Sequence, residues 1–367
     1  MMERLLILLT DTVRLYLRYN KRMKEFGSDF HYIDTCNSGR AHLTNVFNGA
    51  TLLADGRQCI VVLIRQYGWK RLWMPEYFCY NIIEYLQKNT GIDIAFYNDY
   101  PGNDDENAIS NLSFQESDVL LRMNYFGLRS FRSTDDIPIP VIEDHSHDLV
   151  GDWAKNSDAD WCVASLRKII PIPEGGIVWS PKGYCLNCHL TQSALNNDLT
   201  RKRWHAMEEK DKYLKGIIVD KDVFRNLYLE TEDAFDELDI SLIDERSRHY
   251  LEHFDLNNWN SAKKRSWEIL STLDTNRGVL VIRPENGNLN PFSLVLLFDD
   301  EFKRERVRNK LIESSVYPAV LWHVPDCSHD EVSGFSKRML SIHCDGRYKE
   351  KDIDELYNTI NTIIHND

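Results

Sequence analysis

Lys168 and Asp144 are the residues whose types and settings could do covalent chemistry. Lys168 is the third residue after Ser165 in A-S-L-R-K-I-I-P-I-P-E-G-G, behind the apolar run W-C-V-A. That run should bury the chain immediately upstream. A partly desolvated lysine has a depressed pKa and can form a Schiff base at neutral pH. Asp144 comes two dozen residues earlier, in V-I-E-D-H-S-H, just past a short apolar strand at Val141 and Ile142. An amine and a carboxylate so placed suit pyridoxal phosphate (PLP), which needs an amine for its aldehyde and an acid partner for its ring nitrogen. Gly175-Gly176, after Pro171 and Pro173, permits close backbone approach to a flat ligand.

Each feature has a plainer reading. A lysine in a proline-rich turn is commonly a solvated loop residue, and an aspartate after a strand commonly caps the next turn. Ser165-x-x-Lys168 matches the S-x-x-K of penicillin-recognising enzymes, but their S-D-N and K-T-G companions are absent. Glu143, Asp144, His145, His147 and Asp148 could hold zinc, yet neighbouring loop residues are a loose signal, and the expectation is no metal. Cys185-x-x-Cys188-His189 matches a c-type haem attachment sequence, but it occurs once and without an export signal. Two Gly-Arg pairs could each offer a helix N-terminus to a phosphate: Gly56-Arg57, before the apolar run Cys59–Ile64, and Gly39-Arg40 after Ser38.

The elements that must position these residues alternate in type. Segments 70–75, 93–97, 119–123, 141–143, 161–164 and 176–179 read as strands, and 80–88 as a helix with apolar positions on one face. Alternating strands and helices predict a largely parallel sheet, with ligands gathering beyond the carboxyl ends of the strands. Residues 190–271 read as charged helices linking two lobes. The end of the chain reads as an α+β unit: strands at 278–282, 292–298 and 339–343, helices at 301–314 and 351–364. The expected fold is α/β, a large lobe with a mostly parallel mixed sheet flanked by helices plus a smaller C-terminal α+β domain. The division expected is 1–240, with an N-terminal helical segment and the helical linker, and 241–367.

A chain of 367 residues can hold two hydrophobic cores. Its 44 Lys+Arg against 57 Asp+Glu give a net charge of −13, which disfavours non-specific binding to nucleic acid or anionic lipid. Eight scattered cysteines read as reduced thiols of a cytoplasmic protein. No apolar window is long enough for a membrane span, and the start of the chain, with Leu5–Leu9 flanked by Glu3 and Asp11, reads as an amphipathic helix.

Together these residues resemble the DegT/StrS family of PLP-dependent sugar aminotransferases, within fold type I of the PLP transferases. The likeness runs from about Gly56 to the end, carried by V-I-E-D-H-S-H, A-S-L-R-K-I-I-P-I-P-E-G-G, L-W-M-P-E-Y-F-C-Y, S-V-Y-P-A-V-L-W-H-V-P and M-L-S-I-H-C-D-G-R-Y. The resemblance implies Lys168 as the Schiff-base lysine, Asp144 on the pyridinium nitrogen, His147 near the phenolate oxygen and Ser165 on the phosphate. Its spacing favours Gly56-Arg57 as the phosphate turn. Arg57, Arg167 and His323 become candidate contacts to substrate or phosphate. Where the family usually has Ser before that glycine this chain has Asp55; Val163 replaces a phosphate-binding serine, and Cys79 stands where an aromatic residue stacks on the ring.

The activity implied is amino transfer, with glutamate as donor and a keto group of a nucleotide-linked sugar as acceptor, in a homodimer with sites at its interface. Such chemistry serves nucleotide-sugar and polysaccharide biosynthesis. Dehydratases of the same type carry His in place of the lysine, so Lys168 favours transamination. A PLP-binding homologue without catalysis is the remaining rival, favoured by Asp55, Val163 and Cys79.

Overall fold

A computed structural model describes residues 24–35, 43–103, 105–218, 220–237, 239–274, 278–286, 291–326 and 328–367. The expected N-terminal helix and the turn at Ser38-Gly39-Arg40 lie outside these residues. In chain order the strands are β1 (Phe26–Gly27), β2 (Thr51–Leu53), β3 (Arg71–Pro75), β4 (Asp93–Tyr97), β5 (Asp118–Met123), β6 (Val141–Asp144), β7 (Trp161–Ser165), β8 (Gly176–Trp179), β9 (Val279–Ile282), β10 (Ser293–Phe298), β11 (Val316–Tyr317) and β12 (Met339–His343).

Seven of them form one sheet in the order β2-β8-β7-β6-β5-β3-β4. Strands β3 to β7 are mutually parallel, and β8 and β2 complete one side by antiparallel pairing. Every residue of β5, β6, β7 and β8 is buried, which is why they read as apolar runs without alternation. Helix α1 (Gly56–Tyr67) packs on β7 and β8 with Gly56 to Ile64 all buried. Helix α2 (Tyr80–Thr90) buries Ile83, Tyr85 and Leu86, the face its spacing predicted. Gly91 ends α2 at φ 66°, a conformation that favours glycine.

The charged helices expected after Leu190 are α3 (Ala194–Leu214), α4 (Asp222–Ala234), α5 (Glu245–His253) and α6 (Leu256–Leu270). Beyond them β9, β10 and β12 form an antiparallel sheet in the order β12-β10-β9. It is covered by α7 (Glu301–Glu313) and α9 (Glu350–His365), while α8 (Asp330–Arg338) leads into β12. One apolar cluster surrounds the large sheet and reaches Trp259, Phe292 and Phe335; a second joins Leu294, Leu296, Leu340, Val307 and Leu356. Strands β1, β2 and β11 escaped sequence reading because two or three residues show no periodicity. No described helix is long and apolar enough to cross a membrane.

Candidate active site

The carboxyl ends of adjacent parallel strands deliver the two anchors. Asp144 is the last residue of β6, and β7 ends at Ser165, three residues before Lys168. The backbone N–H of His145 donates to the Val163 carbonyl at 2.8 Å, holding the end of β6 against β7. Asp144 is buried, and its Oδ1 accepts the Ser146 N–H at 2.8 Å. Ser146 Oγ in turn accepts the Ser165 N–H at 2.8 Å, tying the two strand ends together.

Lys168 closes a single 3-10 turn, Leu166–Lys168, fixed because the Leu166 N–H donates to the Gly175 carbonyl at 2.8 Å. Its half-buried side chain lines a cavity of about 370 Å³ with Arg167, His147, Phe292, Arg203 and Asp29. Burial holds the Lys168 amine below its ordinary pKa, while the Asp144 carboxylate pulls the other way. The amine lies 5.1 Å from the centre of the Trp322 ring.

His147 is wholly buried in a stack of rings. Phe292 lies 4.6 Å away at 11° and Trp322 5.5 Å away at 19°. Its Nδ1 accepts the N–H of Phe126 at 3.0 Å, so a neutral ring carries its proton on Nε2, which has no hydrogen-bond partner. Burial, and then Lys168 and Lys263, push its pKa well below the ordinary histidine value, so the ring is neutral. The turn presenting that N–H is unusual: Phe126 has φ 52°. Sequence reading missed both Trp322 and Phe292. Tyr77 donates its hydroxyl proton to the Leu321 carbonyl and, with Phe78, packs on Trp322, holding this aromatic group in place.

The residues expected to meet a phosphate are also close together. A Cβ on Gly56 would come within 2.9 Å of the Ser165 Cβ, and one on Gly176 within 2.4 Å of the Asp55 carbonyl oxygen. Gly56 is the first residue of α1 and Asp55 its N-cap. Arg57 is not among the residues lining the cavity: its Nε is 3.3 Å from Asp55 Oδ2 and its guanidinium sits over Tyr85. Cys79 is the N-cap of α2 and half-buried.

Arg167 lies on the cavity wall but is already engaged, its Nη2 3.0 Å from Glu232 Oε1. Arg203, also unforeseen, holds the same carboxylate at 2.9 Å. Burial would raise the Glu232 pKa, but the two guanidiniums outweigh it and bring it down to about 2. His323 is exposed and outside the cavity; its neighbours Leu321 and Trp322 face the site instead. His145 and His147 do not share a ligand set either. His145 Nε2 meets Glu143 Oε2 at 3.1 Å, and that carboxylate also accepts from Ser157 Oγ at 2.7 Å. Strand alternation separates Glu143 from Asp144 in this way.

No family model matches the sequence, and no curated protein does so. Solved structures do match. PseC of Helicobacter pylori, an aminotransferase involved in the biosynthesis of pseudoaminic acid, aligns with a TM-score of 0.65 at 12% identity, covering 94% of this chain and 100% of that one. The chain has the fold of these aminotransferases. A Streptococcus pneumoniae protein solved in its PLP form aligns at 0.60 and 9% identity, covering 94% and 99%. The synthase of 3-amino-5-hydroxybenzoic acid aligns at 0.60 and 14%, covering 88% of both chains. At such identities the aminotransferase-type fold is shared, and the chemistry has to be argued from the site.

Proposed function

We propose that this chain is a PLP-dependent aminotransferase of the DegT/StrS type, moving an amino group from glutamate to a keto group of a nucleotide-linked sugar. One observation carries the reading: a half-buried lysine with a lowered pKa and a buried aspartate, delivered by neighbouring parallel strands, with the carboxylate acting on the amine. The fold neighbours that work in sugar biosynthesis support the acceptor class.

PLP, when bound, supplies an aldehyde and an electron-accepting ring. The residues fit it at the ring end. Lys168 offers an amine whose lowered pKa leaves more of it unprotonated. Asp144 has a carboxylate to hold a ring nitrogen protonated through a charge-assisted bond. His147 has a buried, unpartnered Nε2–H for an oxygen acceptor. As a free amine, Lys168 would be placed to take the proton from the donor's α carbon and hand it on across the amino nitrogen, as general base and then acid. The stack of Phe292, His147 and Trp322 would keep water from that proton. Ser165 and the first turn of α1 at Gly56 would meet the phosphate.

The proposal includes a cytoplasmic homodimer without nucleic-acid or membrane partners, and a large lobe at 1–240 beside a small one at 241–367. A second reading, a PLP-binding dimer without catalysis, is favoured by the Asp55 carboxylate on the helix terminus. Release of 2-oxoglutarate from glutamate separates the two. Purified protein mixed with PLP should develop a visible absorption band that Lys168→Ala lacks; a wild type that stays colourless would speak against the cofactor.

A further inference from the structure

The first turn of α1 is closed by the chain's own carboxylate. Asp55 Oδ1 accepts the backbone N–H of Arg57 at 3.2 Å, and Oδ2 stands 3.3 Å from Arg57 Nε. Both side chains are buried, 7% and 10% exposed, and the guanidinium is braced by the Tyr85 ring, 5.2 Å from its centre. The backbone here has no room to withdraw. Gly56 lies against Ser165, Gly176 against the Asp55 carbonyl, and the Gly175 N–H donates to the Ala54 carbonyl at 2.7 Å. Helix terminus, strand end and glycine pair form one fixed wall, with the Asp55 carboxylate set into it.

A helix N-terminus that begins with glycine is a seat for phosphate. In this chain one of its N–H donors is already taken, and the group taking it is an anion. A phosphate arriving at the same turn meets like charge in a buried setting, where repulsion is weakly screened.

Resting on the cofactor reading above, we propose that Asp55 is an internal anion competing with the cofactor's phosphate for the first turn of α1. The phosphate then adds little to affinity until the Asp55–Arg57 pair opens and Arg57 turns toward it. The ring end of the site, at Lys168, Asp144 and His147, is untouched by this competition.

Two compounds and two variants test it. Full-length wild type, Asp55→Asn and Asp55→Ser are titrated with PLP and with pyridoxal, which lacks the phosphate, following the visible band and tryptophan fluorescence. Lys168→Ala serves to subtract reaction at surface lysines. Asn and Ser both keep a side-chain cap on α1, so the helix end survives. The wild type should prefer PLP to pyridoxal by less than about tenfold, and both variants should bind PLP about tenfold tighter or more with pyridoxal unchanged. Unchanged or weaker PLP binding in both variants overturns it and leaves the cofactor reading standing. If no protein binds either compound, both fall.

Discussion

The Lys168 amine stands 5.1 Å from the centre of the Trp322 indole, and that indole lies 19° from the plane of His147. One aromatic side chain from the C-terminal third of the molecule thus touches both the amine and the buried imidazole. Its effects on the amine oppose each other. A ring face attracts a cation by about 0.5–2 kcal/mol, which raises the pKa, whereas excluding water lowers it. Burial is the larger influence on Lys168, because its pKa is lowered despite Asp144 nearby.

Replacing Trp322 by Ala should therefore raise the Lys168 pKa. The pH midpoint for modification of Lys168 by an amine-reactive probe, followed by peptide mapping, should move upward. An unchanged or lower midpoint would mean that the ring acts chiefly through its attraction for the cation.

His147 carries a structural load. It accepts the N–H of Phe126 and fills the gap between Phe292 and Trp322. His147→Ala strands a buried donor and opens a void, so urea unfolding should show a loss of about 2–4 kcal/mol. A loss below about 1 kcal/mol would show that the turn at Phe126 holds itself.

Glu174, in the turn before the glycine pair, predicts how stability follows pH. Burial raises its pKa from 4.5 to about 7, although Asn196 and the Asp244 N–H donate to its carboxylate at 2.9 Å each. A folded-state pKa above the unfolded one means that the folded protein binds the extra proton between pH 4.5 and 7. Stability from this group is complete below that window and falls as pH rises through it, by up to about 3 kcal/mol. Glu174→Gln should flatten that part of the melting-temperature profile between pH 5 and 8. Parallel profiles for wild type and variant would contradict the assignment.

What could be read from sequence follows from where each interaction originates. The segments V-I-E-D and W-C-V-A-S are apolar strands ending in polar residues, so β6, β7 and the placement of Asp144 and Lys168 were legible. The aromatic stack was not, since Phe292 and Trp322 reach His147 only through tertiary packing. Arg57 looked like a phosphate contact because of the glycine before it, but the acid two residues upstream captures it first. His323 and Trp322 are neighbours in sequence, and the aromatic one turns inward. His145 and His147 looked like a metal pair, yet the buried Glu143 carboxylate takes His145 for itself.

Lys168 is proposed as the amine that captures the cofactor. The direct measurement is borohydride reduction of the PLP-treated protein, followed by mass mapping of the pyridoxyl group. One stoichiometric modification is expected, on Lys168, formed in parallel with loss of the visible band. Modification spread over surface lysines with Lys168 unlabelled would contradict it.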